Sequence, residues 1–467
     1  MSTAPPASTS ASSSSNAASP AGLGLAALLA VAIGVIVAQG TMVSLLQGVG
    51  IAGWGFFGAL AIGFVLMLCN SATYAELALL MPRAEGLSTY IRAGLGPLAA
   101  IFAVFAGYVV PALFGPAAEL LLVDAVMEQV VGSAAVPGWV WAGGLLAVLV
   151  ALNLRGTDVF ARVQTVFTFA MLVFLLLCGL SALGGLGGAG ATASAARPGF
   201  AGMGEQVTIF GVAALVMYSL IGTEFVTPMT GLAARPVRDV PRAMFLGLAL
   251  VAAANALFCL GAVAVLGREK LAASPLPHLD VVLAVFGPGV KLIFAAVAIT
   301  ATASLINTVL AAVPRMLHEM ARSKEAFGLF LPLNRHGVPW VATLFVAALP
   351  LVGLLGARGD VNRILPLLVA AASAWLVSYM LAHGSLLALR RQAPGVTRPW
   401  RAPGAPWPQL LAIAGMAWVI AHAAPAPEME GPIYSALAGV LGLVLAIGAA
   451  WVKLVMKRPL LRAEGLG

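Results

Sequence analysis

The chain has 467 residues, of which 61% are hydrophobic and only 9% charged, with a formal net charge of +8 and a mean hydropathy of +1.01. That composition excludes a water-soluble globular domain and describes a chain dissolved in lipid. The basic excess is not a nucleic-acid footprint, because the Lys and Arg residues sit in short stretches between apolar runs and not on one compact face.

Residues 1–21 form an uncharged Ser, Ala and Pro tract, the composition of a disordered tail. The apolar segment after it is of full spanning length and lacks the basic start and short core of a secretory leader. Apolar runs of about 20 residues satisfy their own backbone groups in lipid as helices, and the runs here lack the alternation of a barrel strand. They predict twelve transmembrane helices, near 22–46, 52–80, 97–122, 136–154, 162–184, 206–231, 243–267, 290–317, 338–356, 365–389, 408–424 and 432–453. The expected fold class is therefore an all-α polytopic membrane protein. Residues 185–204 read as a Gly- and Ala-rich loop, and 390–407 as a Pro-rich basic connector. The connector divides a ten-helix core, 22–389, from a last pair, 408–453, and a tail, 454–467. The last pair suits a scaffold or a homodimer contact.

Orientation follows from the basic residues. The loops on the side of both termini carry 19 of the 25 Lys and Arg residues, among them Arg92, Arg155, Arg238, Arg322, Arg390 and Arg398. The other six are Arg197, Arg268, Lys270, Lys291, Arg358 and Arg363. The positive-inside rule then puts both termini in the cytoplasm, and the expected location is the inner membrane.

Two helices are interrupted. The first reads Gly34-Val35-Ile36-Val37-Ala38-Gln39-Gly40-Thr41-Met42, and the sixth reads Tyr218-Ser219-Leu220-Ile221-Gly222-Thr223-Glu224, followed by Pro228 and Gly231. Glycine weakens a helix and frees backbone groups, so matched interruptions five helices apart suggest inverted repeats with unwound segments near the midplane. Half-helix N-termini there suit a carboxylate, and freed carbonyls suit an ammonium or a cation. The same glycines also fit simple close helix packing.

These motifs, with others in the same order, resemble the amino acid, polyamine and organocation transporters over nearly the whole chain. Gly34 to Met42 is similar to that family's Gly-rich first helix, and Tyr74-Ala75-Glu76-Leu77 with Pro82-Arg83-Ala84-Glu85-Gly86 to the end of its second. Tyr90, Gly94-Leu95-Gly96, Asn153-Leu154-Arg155-Gly156 and Arg162-Val163-Gln164 continue the pattern. Ile221-Gly222-Thr223-Glu224 with Arg238-Asp239-Val240-Pro241-Arg242-Ala243 resembles the sixth helix and its exit. Arg315 and Met320-Ala321-Arg322 look like the end of the eighth, although Ser323-Lys324-Glu325 departs from the usual Asp-Gly.

The resemblance implies a core of two inverted five-helix repeats, 22–184 and 206–389, with discontinuous helices one and six and alternating access. It implies backbone contacts to an amino acid or amine substrate from Ile36, Ala38, Gln39, Gly40 and Thr41, with Ser219, Leu220 and Gly222 as further substrate-binding positions. Ala38 and Gln39 stand where the family has Gly and Ser, so substrate identity does not transfer. Tyr218 takes the place of an aromatic gate, and Val110, Pro111 and Gly115 line the third helix.

Carboxylates within a membrane are costly and usually functional. Glu224, beside the second interruption, is the expected proton-coupling residue, against the plainer role of hydrogen-bonding unwound backbone. Glu76 is expected to anchor a loop, and Glu119 to be a solvated rim residue. His383 and His422 read as interfacial, and Cys69, Cys178 and Cys259 as packing residues, with no paired spacing for a metal or a disulfide. Met171 occupies the place where some relatives carry a coupling lysine. Thr300, Thr302, Ser304 and Thr308 leave a sodium ion open as the alternative. Five His residues without a His-Glu-x-x-His motif or paired carboxylates argue against an enzyme, so no catalytic residue and no cofactor is assigned. No Gly-Lys pair occurs, which excludes a P-loop. No repeated pore loop marks a channel. An amino acid sensor without net transport stays open.

Overall fold

The computed structural model describes residues 22–82, 86–132, 138–185 and 209–466, and every extended element in them is a helix. The 1–21 tail, Arg83, Ala84 and Glu85 of the second-helix motif, and 186–204 of the long loop lie outside the described residues.

The first expected span is broken: α1 (Leu25–Gly34) and α2 (Gln39–Ala52) meet at 61°. Next come α3 (Trp54–Leu80) and a short helix, α4 (Leu87–Leu95). In α4 the buried Leu87, Tyr90, Ile91 and Gly94 fall at helical spacing on one face, so it lies against the bundle without crossing it. One continuous span then runs from α5 (Pro97–Val104) through a π turn at Phe105–Val109 into α6 (Val110–Val131). The first half closes with α7 (Gly138–Asn153) and α8 (Thr157–Gly184).

The second half opens with a six-residue helix, α9 (Ala213–Tyr218), which stops four residues short of a 3-10 stretch over Thr223–Leu232. The rest comprises α10 (Pro236–Leu266), the short α11 (Arg268–Ala273) and α12 (Pro277–Phe286), α13 (Lys291–Arg322), α14 (Trp340–Ala357), α15 (Ile364–Gln392), α16 (Trp407–Ala421) and α17 (Pro427–Trp451). By length and hydropathy, seven helices among the described residues can cross a membrane, or eight with the bent α1–α2 pair as one span. Four further apolar helices are 10–17 residues long.

Burial ranks these helices from centre to lipid. The Pro97–Val131 span has 83% of its most apolar window buried, against 17% for Pro427–Met456. The former packs on α13, α14 and α15. The latter exposes Leu443, Leu445, Ile447 and Leu454, an apolar surface that only lipid or another protein satisfies. The two interrupted helices are tied together at one end, where Leu23 N–H donates to Leu232 O at 2.8 Å and Ala234 N–H donates to Leu23 O at 3.0 Å.

Candidate functional site

The two interruptions meet in the middle of the bundle. Helix α1 ends at Gly34, and the segment 35–38 leaves carbonyls without helical partners. The Ser304 hydroxyl on α13 donates to Gly34 O at 2.8 Å, and Thr41 Oγ1 donates to Ile36 O at 2.5 Å. In the second interruption Gly222 has φ +143°, a backbone that side-chain-bearing residues rarely adopt. A Cβ there would lie 2.8 Å from Ile36 Cγ1 and 3.1 Å from Val35 Cβ, so the break in one helix packs directly on the break in the other. Asn255 Nδ2 on α10 donates to the freed Ser219 carbonyl at 3.2 Å, while the Ser219 hydroxyl turns back to Val216 O.

Around the first turn of α2 lies a buried polar cluster. Gly40 N–H donates to Glu119 Oε1 at 2.6 Å, and the Thr302 hydroxyl donates to Glu119 Oε2 at 2.6 Å. Gln39 Nε2 donates to Thr302 Oγ1 at 2.8 Å, and Gln39 Oε1 lies 3.1 Å from His278 Nε2. Glu119, Thr302, Gln39 and His278 are all fully buried. The Tyr218 hydroxyl reaches the same place, 3.3 Å from where a Gly40 Cβ would stand and 3.6 Å from that of Gly115, and has no hydrogen-bond partner. The Tyr218 ring lies 6.3 Å from that of Trp375.

A second acidic side chain, Glu224, lies at the second break. Glu224 accepts the Tyr379 hydroxyl at 2.6 Å and Gly222 N–H at 3.2 Å, with Tyr74 edge-on to Tyr379 at 5.7 Å. Ser71 and Thr223 hydroxyls pair beside it at 3.0 Å.

The residues singled out in the sequence divide into groups. Ile36, Ala38, Gln39, Gly40, Thr41, Gly115, Tyr218 and Gly222 converge on the crossing, and Ser219 contributes its carbonyl to the second break. Leu220 belongs to that break by its backbone only, since its side chain packs on α3 near Gly63. Val110 and Pro111 are buried at the start of α6, a turn before Gly115.

Two expectations are corrected. Glu119 is not a rim residue: it stands one turn after Gly115 on the face of α6 that meets α2 and α13, and those helices bury it. His383 is not interfacial, because α15 packs on α3 and holds it, fully buried, 2.9 Å from Thr73 Oγ1. Glu76 anchors the connector as expected, accepting from Arg390 and from Ala402 N–H at 2.7 Å, with Arg398 at 3.2 Å. In the sequence Thr302 is marked only as a hydroxyl that suits a cation. His278, Trp375 and Tyr379 carried no signal in the sequence, although Trp375 and Tyr379 share one face of α15 at a four-residue spacing.

Comparison with known proteins places this geometry in context. The family model described as amino acid permease matches residues 23–455. The chain is 25% identical over 408 residues to the serine/threonine exchanger SteT of Bacillus subtilis, covering 83% of this chain and 86% of SteT. It is 25% identical over 190 residues to the low-affinity putrescine importer PlaP of Escherichia coli, covering 40% of this chain and 41% of that one. Among solved structures, the nucleobase-cation-symport-1 family transporter MHP1, closed around bromovinylhydantoin, superposes with a TM-score of 0.56 at 14% identity. That match covers 92% of this chain and 96% of MHP1, a likeness of fold.

Proposed function

The chain belongs to the amino acid permease family, and from that premise we propose that it is a secondary active transporter moving amino acids or related amines and polyamines across the inner membrane by alternating access. The observation that carries the reading is the contact between the two interrupted helices, with Gly222 seated on Ile36 and the Gly40 N–H turned into a buried polar cluster beside that contact. Unwound segments that touch can separate on either side in turn, which is what alternating access requires. Relatives named as a serine/threonine exchanger and a putrescine importer support this range of substrates.

In this reading twelve spans cross the bilayer with both termini in the cytoplasm, the core over 22–389 carries the solute, and 408–453 is scaffold or dimer contact. Ile36, Ala38, Gln39, Gly40, Thr41, Val110, Pro111, Gly115, Tyr218, Ser219, Leu220 and Gly222 line the solute path. Glu224 exchanges the coupling proton, or transport runs as exchange. One observation favours sodium instead: the Ser304 hydroxyl of α13 meets the Gly34 carbonyl freed by the first break, a pair of oxygens suited to a small hard cation. Transport that persists when potassium replaces sodium excludes that alternative.

Counterflow in proteoliposomes tests the proposal. A Gly40 Cβ would lie 2.7 Å from Glu119 Oε1 and 2.9 Å from Leu368 Cδ2, so Gly40→Val is expected to abolish counterflow in a protein that stays monodisperse in detergent. Undiminished counterflow in that variant moves the site elsewhere, and binding without counterflow in the wild type makes the chain a sensor.

A further inference from the structure

Resting on the site just proposed, the geometry points to a substrate that is a protonated amine without a carboxylate, its ammonium paired with Glu119. The first argument is occupancy. Gly40 is in the first turn of α2, where N–H groups have no helical acceptor and the helix end is electropositive, the place that draws an anion. Glu119 Oε1 already takes that N–H at 2.6 Å. A ligand carboxylate must displace this side chain, and the displaced Glu119 then stands beside a second negative charge in a buried setting.

The second argument is charge. Thr302 Oγ1 receives a hydrogen bond from Gln39 Nε2, so its own proton goes to Glu119 Oε2. Both Glu119 oxygens therefore act as acceptors in this arrangement. Among the described residues no Lys, Arg or His nitrogen lies within 4.0 Å of it. A buried acidic side chain in a membrane bundle that meets hydrogen-bond donors but no cationic side chain is matched by a cationic ligand.

The third argument is what else faces the spot. Tyr218 is buried, its hydroxyl is unpartnered, and it points at Gly40 and Gly115, so its oxygen can accept from an ammonium that also touches Glu119. The neighbouring rings of Tyr218 and Trp375 offer aromatic faces to an alkylammonium. His278 lies behind Gln39, where its Nε2 makes contact with the Gln39 amide and not with the carboxylate.

Two pairs of ligands that differ only in the carboxylate test this: 1,4-diaminobutane against ornithine, and butylamine against norvaline. Competition for counterflow by the full chain in proteoliposomes is expected to favour the decarboxylated member of at least one pair by tenfold or more. Glu119→Ala, which removes the charge and frees the Gly40 N–H, is expected to shrink that ratio below threefold. The wild-type ratio decides even where the variant does not fold. Ornithine and norvaline each competing within tenfold of its amine, or more tightly, overturns the inference. If Gly40→Val then abolishes that binding, the site itself stands and only the substrate class falls. If none of the four competes with wild type, or Gly40→Val competes like wild type, the site and the inference fall together.

Discussion

Gly222 rests against Ile36 so closely that a Cβ built on the glycine would lie 2.8 Å from Ile36 Cγ1, and its φ of +143° admits a side chain only with strain. The sequence-distant contact means that a single methyl group at 222 pushes the two interrupted helices apart.

Gly222→Ala is therefore expected to lower stability by about 1–3 kcal/mol, the cost of a residue forced into such a backbone, and to abolish transport. Gly356→Ala is the control, since nothing lies within 4 Å of its added Cβ and alanine suits a helix better. Thermal unfolding in detergent should show a lowered midpoint for the first variant and an unchanged or raised one for the second. Equal midpoints would mean that the breaks do not press on each other.

The division of basic residues, 19 on the side of the termini against six, makes a prediction about topology. A reporter fused after Gly467 should be cytoplasmic, and one inserted in 185–204 external. An external C-terminus together with an external loop would mean an even number of spans between them, against the seven expected.

The long spans were legible because a run of apolar residues has few alternatives in lipid, and the predicted limits of 52–80, 290–317 and 365–389 fall close to Trp54–Leu80, Lys291–Arg322 and Ile364–Gln392. The breaks were legible through Gly34, Gly40 and Gly222. Helices α4, α11 and α12, of 9, 6 and 10 residues, were not, because an element that lies on the bundle needs no spanning run. The burial of Glu119 was not legible for a different reason. Its partners Gly40 and Thr302 are 79 and 183 residues away, so its burial depends on how three helices rotate against one another, and hydropathy is silent on rotation.

On the face that carries the C-terminal tail, Arg92 is shared between Glu325 at 2.8 Å and Glu464 of that tail at 3.2 Å, beside a cavity of about 1120 Å³. Burial pushes the Glu325 carboxyl above its ordinary value, outweighing the opposing pull of Arg92 and Ser88. A carboxyl raised on folding holds its proton better in the native state, so its contribution to stability is complete below the ordinary carboxylate range of about 4.3 and is lost as pH rises through the folded value. Glu325→Gln removes this titration. The melting midpoint of the wild type is expected to fall relative to that of the variant as pH goes from 4 to 7, and parallel curves would show that Glu325 titrates as it does unfolded.

The last prediction concerns Glu224, whose carboxylate accepts from Tyr379 at 2.6 Å and from Gly222 N–H at 3.2 Å. Those contacts tie one titratable group to α15 through the hydroxyl and to the second break through the backbone. Any step that separates the break from α15 therefore changes the number of donors the carboxylate sees, and with it the free energy of holding a proton. Two access states with different proton occupancy at one site are what coupling requires. Glu224→Gln keeps the shape and the oxygen that accepts from Tyr379 while removing the titration. If Glu224 couples, the variant should bind substrate within about tenfold of wild type, or about 1.4 kcal/mol, but lose the pH dependence of uptake. Tyr379→Phe, which deletes the donor and leaves the carboxylate, should shift the pH profile without flattening it. Proteoliposome rates from pH 5 to 8 on the three proteins decide the matter. A Glu224→Gln profile that tracks wild type reduces the residue to a hydrogen-bond acceptor for unwound backbone, and the proton must then be carried elsewhere or transport must run as exchange.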